Sequence, residues 1–365
     1  MSHMNRRRRA RGGASCRVML ALGFFALAAG LMLSLGSCRS DDRDRVVLYV
    51  SADDYVAREV IEAFERKTGI RVDWVGDVEA TKTTGLVNRI RDERNNPQAD
   101  VFWSSEVFMT IQLADEGLLA EHISEATADW PRHLRDGGRL WYGFAPRARV
   151  IVYAPDRVSG DDIPRTWMDL GRPQFRDRVV MADPRFGTTL GHLGAMAAWW
   201  DANIMPGYYE SYLEKLRENN VRLLTTGNAG VVEAVGRGEA DVGMTDTDDV
   251  WAGQERGFNV DLVYASHGEP GETGAGTLLI PNTVAMINGS RHPEQAAILI
   301  DFLLSEEVER ILAESVSANL PIRPEVAAEY PHLAVPNPLQ IDLRIVAERM
   351  TDALEMAMRI LDDGN

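Results

Sequence analysis

The apolar run Val46 to Val50, "VVLYV", reads as a buried strand, and a Ser/Asp-rich turn at 51–54 follows it. Next, Val56, Val60, Ile61 and Phe64 fall on one helical face, and Thr68-Gly69 supplies the stop. "RVDWV" predicts a second strand, residues 81–94 a helix, "ADVFW" at 99–103 a third strand, and Glu106 the start of another helix. The middle repeats the pattern: "ARVIVYAP" (148–155), then "RVVMADPRFGTTLGHLGAMAAWW" (178–200) as strand, Gly/Thr turn and helix. After these come the helix-like "YYESYLEKLREN" and "GVVEAVGRGEA", the short strand "DVGMT", the strand-like 277–287, and helices that close the chain. Strand and helix alternate throughout, which predicts the α/β class with a mainly parallel sheet covered on both faces.

The amino terminus departs from this alternation. Basic "NRRRRARGG" precedes an apolar run from Val18 to Leu35, the layout of an export signal; a permanent membrane anchor is the other reading of a run this long. "LGSC" ending at Cys38 resembles the bacterial lipobox. That resemblance implies a signal peptide over 1–37, lipid on Cys38, a tether at 38–45, and a mature protein in the periplasm or cell envelope that meets the membrane only through its anchor. Cys16 would leave with the signal, so the mature fold would hold without disulfides.

Composition is that of an ordinary globular protein, 45% hydrophobic and 26% charged, and 365 residues suit two lobes or one large α/β domain. The formal net charge is −16, and the acidic residues all lie beyond the first 37, which argues against nucleic acid as a partner.

Enzyme signatures are missing: there is no G-x-S-x-G, no G-x-x-x-x-G-K-[ST] and no H-E-x-x-H. "DVGMTDTDDVWAG" (241–253) instead crowds Asp241, Asp246, Asp248 and Asp249 together, and like charges raise one another's pKa unless something positive sits among them. It is not an EF-hand loop, because Val250 and Trp251 occupy the fifth and sixth positions. Three more stretches also follow predicted strands: "SADD", "SSE" and "DPRFGTT". In an open α/β sheet ligands bind beyond the carboxyl ends of strands, so Asp53, Asp54, Glu106, Asp246, Asp248 and Asp249 could converge there with the Gly187–Thr189 amides. The structural alternative is local. Asp54, Glu106, Asp248 and Asp249 all lie at predicted helix starts, where the helix dipole favours acids, and Asp246 could be a cap.

From "VVLYVSADDYVAREVIEAFERKTGIRVDWV" through "ADVFWSSEVFMTIQLADEGLL", "EAVGRGEADVGMTDTDDVWAGQERG" and "LPIRPEV", the chain resembles bacterial extracellular solute-binding proteins of the ferric-ion-binding type. The resemblance implies a two-lobed periplasmic-binding-protein fold, type II-like, with a hinge and an interlobe cleft. Lobe 1 would comprise 46–145 plus about 262–290, and lobe 2 146–261 plus about 291–365, the strands crossing near 143–150 and 262–285. It implies a non-enzymatic, monomeric receptor that delivers a small ligand to an ABC permease.

The family's iron-binding Glu falls on Glu106, but its His falls on Asp54 and its paired tyrosines on Asp248 and Asp249. The expected metal set is therefore Asp54, Glu106, Asp246, Asp248 and Asp249, all hard oxygen donors suited to ferric iron or a divalent ion carried as ligand. Ser51, Asp53, Ser105, Gly187, Thr188, Thr189 and Asn228 would hold an accompanying anion or other ligand group. A small organic cation or a phosphorylated compound is the alternative cargo. A metal-dependent envelope hydrolase is a third reading, weakened by the lack of a general base outside the cluster.

Overall fold

The computed structural model describes residues 45–77 and 83–362; the expected signal peptide, Cys38 and the tether up to Asp44 lie outside them. Ten strands are present among the described residues: β1 (Arg45–Val50), β2 (Arg71–Gly76), β3 (Val101–Ser104), β4 (Leu119–Ala120), β5 (Tyr142–Tyr153), β6 (Val179–Ala182), β7 (Arg222–Leu224), β8 (Val242–Asp246), β9 (Asp261–Val263) and β10 (Leu279–Ile287). Between and after them run helices α1 (Asp54–Thr68), α2 (Thr84–Asp92), α3 (Phe108–Asp115), α4 (Gly187–Asn203), α5 (Tyr208–Glu218) and α6 (Gly227–Gly236). The remainder are α7 (Thr247–Glu255), α8 (Pro293–Leu303), α9 (Glu306–Glu314), α10 (Pro324–Ala327) and α11 (Leu343–Leu361). No helix among the described residues is long and apolar enough to cross a membrane.

The strands follow the order β2-β1-β3-β10-β5-β8-β6-β7, with β4 beside β10 and β9 beside β5. Two parallel groups, β2-β1-β3 and β8-β6-β7, are joined by antiparallel strands. The sheet is thus mixed rather than mainly parallel. Alternation of strand and helix fixes direction only within each group; β10 returns from far along the chain and runs against both β3 and β5.

β5 connects the two halves. Its first residues pair with β10 and its last five with β8, and all twelve are buried, so the crossing backbone satisfies its hydrogen bonds internally. The crossing is bent. Ala145 has φ of 44°, a region costly for a residue with a Cβ, and the facing strand shifts register between Ile280 and Asn282. The Asn282 side chain holds the bend by donating to the Ala145 carbonyl (2.7 Å) while accepting from Trp103 Nε1 (3.2 Å).

Apolar helix faces cover both halves. Val56, Val60 and Phe64 of α1 share a core with β1, Leu299 and Ile300 of α8, and Leu312 of α9. α8 and α9 therefore pack on the half containing β1 and β10, whereas the sequence reading had placed 291–365 entirely in the other lobe. An amphipathic pattern reveals which face of a helix is buried but not which sheet buries it. α11 packs its Val346, Met350 and Ala353 against α4 and also touches α3 of the first half.

Candidate functional site

β1 and β3 run antiparallel to β6 and β8, so the two sets of carboxyl ends face each other across the middle of β5. Ser51, Ser105, the turn from Asp183 to Gly187 and Asp246 follow those ends, the place where open α/β sheets bind ligands. A cleft there, about 40 Å³ in volume, is lined by Ser105, Arg147, Asp183, Gly187, Asp248 and Asp249 among others. A smaller pocket of about 20 Å³ continues it past Ser105, Arg147 and Asp248 to Asp53, Ser317 and Asn319.

Asp246 ends the fully buried β8 and is only 1% exposed. One oxygen accepts from Arg149 Nη1 (2.8 Å); the other accepts from Thr188 Oγ1 (2.6 Å), Asn228 Nδ2 (2.9 Å) and Arg147 Nε (3.2 Å). Burial pushes this carboxyl up, but Arg149 and Arg147 outweigh burial and hold it below the usual carboxylate range. Neither a helix cap nor a free metal ligand, Asp246 is a buried counter-ion with both oxygens engaged.

The positive charge that the aspartate cluster demands is therefore internal. Arg147 and Arg149, two apart on β5, point to the same side of the strand and reach Asp246 together. Arg147 also stands 3.5 Å from Asp248, and its three aspartate neighbours raise its pKa although burial opposes them. Arg149 is fully buried; its Nε donates to His192 Nδ1 at 3.4 Å. Burial, then Arg149 and His267, lowers the His192 pKa well below its usual value, so the ring is neutral and free to accept that bond.

Asp248 and Asp249, in the first turn of α7, complete the cluster; with Asp246, they bring carboxylate oxygens within 4.8 Å of one another. Three carboxylates face two guanidiniums, which leaves one negative charge in excess.

The other expected ligands lie apart from this group. Asp54 is exposed and paired with Arg58 at 2.9 Å on its own helix. Glu106 is buried, but its carboxylate caps α3, accepting from Phe108 N (2.6 Å) and Met109 N (3.2 Å). For both, the helix-start alternative describes what the side chain does. Burial lifts Glu106 to about 7 against the pull of those amides and Arg147. A folded protein that keeps this proton while the unfolded chain loses it near pH 4.5 is destabilised as pH rises from about 4.5 to 7. Glu106→Gln should keep a cap acceptor and flatten that slope, gaining on the order of 2–3 kcal/mol at pH 8 and little at pH 4 in urea unfolding.

Among the residues expected to hold an anion, Ser51 and Ser105 form a buried hydroxyl group with Thr83, at 3.2–3.3 Å. Asp53 lines the smaller pocket. Gly187, with φ of 59°, opens α4 without a side-chain cap and lines the cleft with Thr188 and Thr189. Thr188 and Asn228 are already committed to Asp246, while Thr189 contacts Asn228 at 3.5 Å.

Sequence reading missed Arg147, Arg149, Asp183 and Tyr55. The strand predicted at 148–155 began too late to include Arg147; two arginines alternating within an apolar strand were the available signal. Tyr55 is half exposed, its hydroxyl 3.3 Å from Oγ of Ser317, which lines the smaller pocket. Burial first, then the charges of Asp53, Asp248 and Asp249, push its pKa up to about 12.

A family model described as bacterial extracellular solute-binding protein matches residues 46–315. The chain is 24% identical to Iron uptake protein A1 of Synechocystis, over 86% of this chain and 90% of that one. It is 28% identical to the putative 2-aminoethylphosphonate-binding periplasmic protein of Salmonella paratyphi A, over 74% and 75%. Iron-bound HitA from Pseudomonas aeruginosa superposes with a TM-score of 0.75 at 25% identity, covering 87% of this chain and 99% of that one. The fold is the two-lobed, non-enzymatic binding-protein fold, and the chain belongs to the bacterial extracellular solute-binding proteins.

Proposed function

We propose that this protein is the substrate-binding component of an ABC importer and that its cargo is an iron-like metal cation. Asp248 and Asp249 hold the ion, a hinge closes over it, and a membrane permease receives it. The observation that carries this reading is the union of charge and size. Asp248 and Asp249 bring carboxylate oxygens within 4.8 Å of each other and of Asp246, one negative charge is in excess, and the cleft of about 40 Å³ suits an ion with a water or two. Ligand contacts reaching both halves would shift the population toward the closed form.

Asp246 is excluded from direct ligation by its arginines, so Asp248 and Asp249 supply the protein charge. A small anion accompanying the metal would sit at Gly187 and Thr188, where the first turn of α4 meets the cleft. The mature chain works as a monomer outside the cytoplasm, held to a membrane by lipid on Cys38.

A second reading, a small organic cation bearing a phosphonate or phosphate, draws on Arg147 beside the start of α4 and on the likeness to the 2-aminoethylphosphonate relative. Native mass spectrometry with elemental analysis of protein purified without added metal separates them. One metal ion per chain is expected. A stoichiometric organic mass with no metal would replace the first reading by the second.

A further inference from the structure

Arg147 faces the aspartate cleft, but its neighbour Pro146 lines a different cavity. This second space, about 730 Å³, is far larger than the cleft and is bounded by Pro146 of β5 and by Leu279 and Pro281 of β10, at the bend where the halves join. One wall comes from the 131–141 segment leading into β5, the other from Leu339 to Arg344 leading into α11. Arg344 ties the walls together, bonding Asp115 at 2.7 Å and Asp136 at 3.2 Å.

The lining is chiefly apolar, with Trp141, Leu320 and Ile341 among its side chains. The guest is more than hydrocarbon, because the local charge is positive in a chain whose formal charge is −16. Arg132 and Arg135 line the rim, while the two lining carboxylates are already engaged: Asp136 by Gly138 N (2.6 Å) and Arg344, and Asp342 by the start of α11 (2.9 Å to Arg344 N).

We infer that this cavity binds an amphipathic organic anion: an apolar, ring- or chain-sized body carrying one carboxylate or sulfonate. The body fills the apolar space and the acidic group meets Arg132 and Arg135. The walls come from the segment before β5 and the segment before α11, so an occupant holds them in the arrangement seen here. Occupancy and closure of the aspartate cleft are then coupled reciprocally. The inference stands whichever cargo the cleft carries.

Titrating the full chain with 8-anilinonaphthalene-1-sulfonate and following its fluorescence tests this directly. Saturable binding at one site is expected. The pair Arg132→Gln/Arg135→Gln should weaken it about tenfold, roughly 1.4 kcal/mol. Leu279→Trp, which fills the cavity, should abolish binding. Circular dichroism melts confirm that each variant is folded. The uncharged N-phenyl-1-naphthylamine should bind at least about tenfold more weakly. Absence of saturable binding to folded protein, equal affinity for the uncharged probe, or binding undiminished by Leu279→Trp would each overturn the assignment.

Discussion

Replacing Asp248 and Asp249 together by asparagine should weaken metal binding by roughly a hundredfold or more, about 2.7 kcal/mol, in calorimetric titration with ferric citrate. Both side chains line the cleft, and Asp248 approaches Arg147 at 3.5 Å, farther than Asp246 does. Removing their charge converts a site with one negative charge in excess into one with one positive in excess, since Arg147 and Arg149 remain. A cation should then be repelled. Apo stability should fall less than in Asp246→Ala, because Arg147 keeps Asp246 as a partner at 3.2 Å while losing the charge of Asp248, 3.5 Å away, and of Asp249. A melting temperature above that of Asp246→Ala, with binding gone, is the signature of ligands rather than scaffolding. Unchanged affinity would remove the metal site altogether.

The fold was readable in the chain because its signals are local. β1, α1 and β3 announce themselves by apolar runs, a 3.6-residue stripe and the Thr68-Gly69 stop, and Gly69 does take the left-handed conformation that ends α1. What could not be read is which partner a distant segment chooses. β10 inserts antiparallel between β3 and β5, and α8 and α9 cover the half that β1 begins; each outcome depends on contacts between residues more than 130 positions apart.

The site divides in the same manner. The carboxyl-end rule brought Ser105, Gly187, Asp248 and Asp249 to one cleft. It overreached at Asp54 and Glu106, because an acid at a helix start has a cheaper occupation. Asp54 joins Arg58 in solvent and Glu106 caps α3. It also misjudged where positive charge would come from. The guanidiniums of Arg147 and Arg149 come from a strand about 100 residues away, and only the pairing of β5 with β8 places them beside Asp246.

That pairing leads to the largest stability effect expected in this protein. Asp246→Ala should cost about 3–5 kcal/mol in chemical denaturation, since it strips two buried guanidiniums of their shared carboxylate and leaves Thr188 and Asn228 without their acceptor. The loss comes from stranded charge more than from lost attraction. Asp246→Ala combined with Arg149→Met should therefore be less damaging than the two losses added, because the second change removes one of the charges the first exposed. Strict additivity would show that the pair does not act as a unit.

The pH dependence follows from the same charges. Asp246 is held below the usual carboxylate range, so its contribution is fully present above the unfolded value near 4 and is lost as pH falls through the lowered folded value. Glu106 works in the opposite sense, its pKa lifted to about 7 and its burden growing as pH rises toward that value. Wild-type stability should therefore peak between the two, near pH 4–5 as far as these groups set it. In Asp246→Ala the acid-side fall should shrink while the neutral-side fall persists. The aspartate cluster and the α3 cap are thus separable by their titration windows in a single set of unfolding curves.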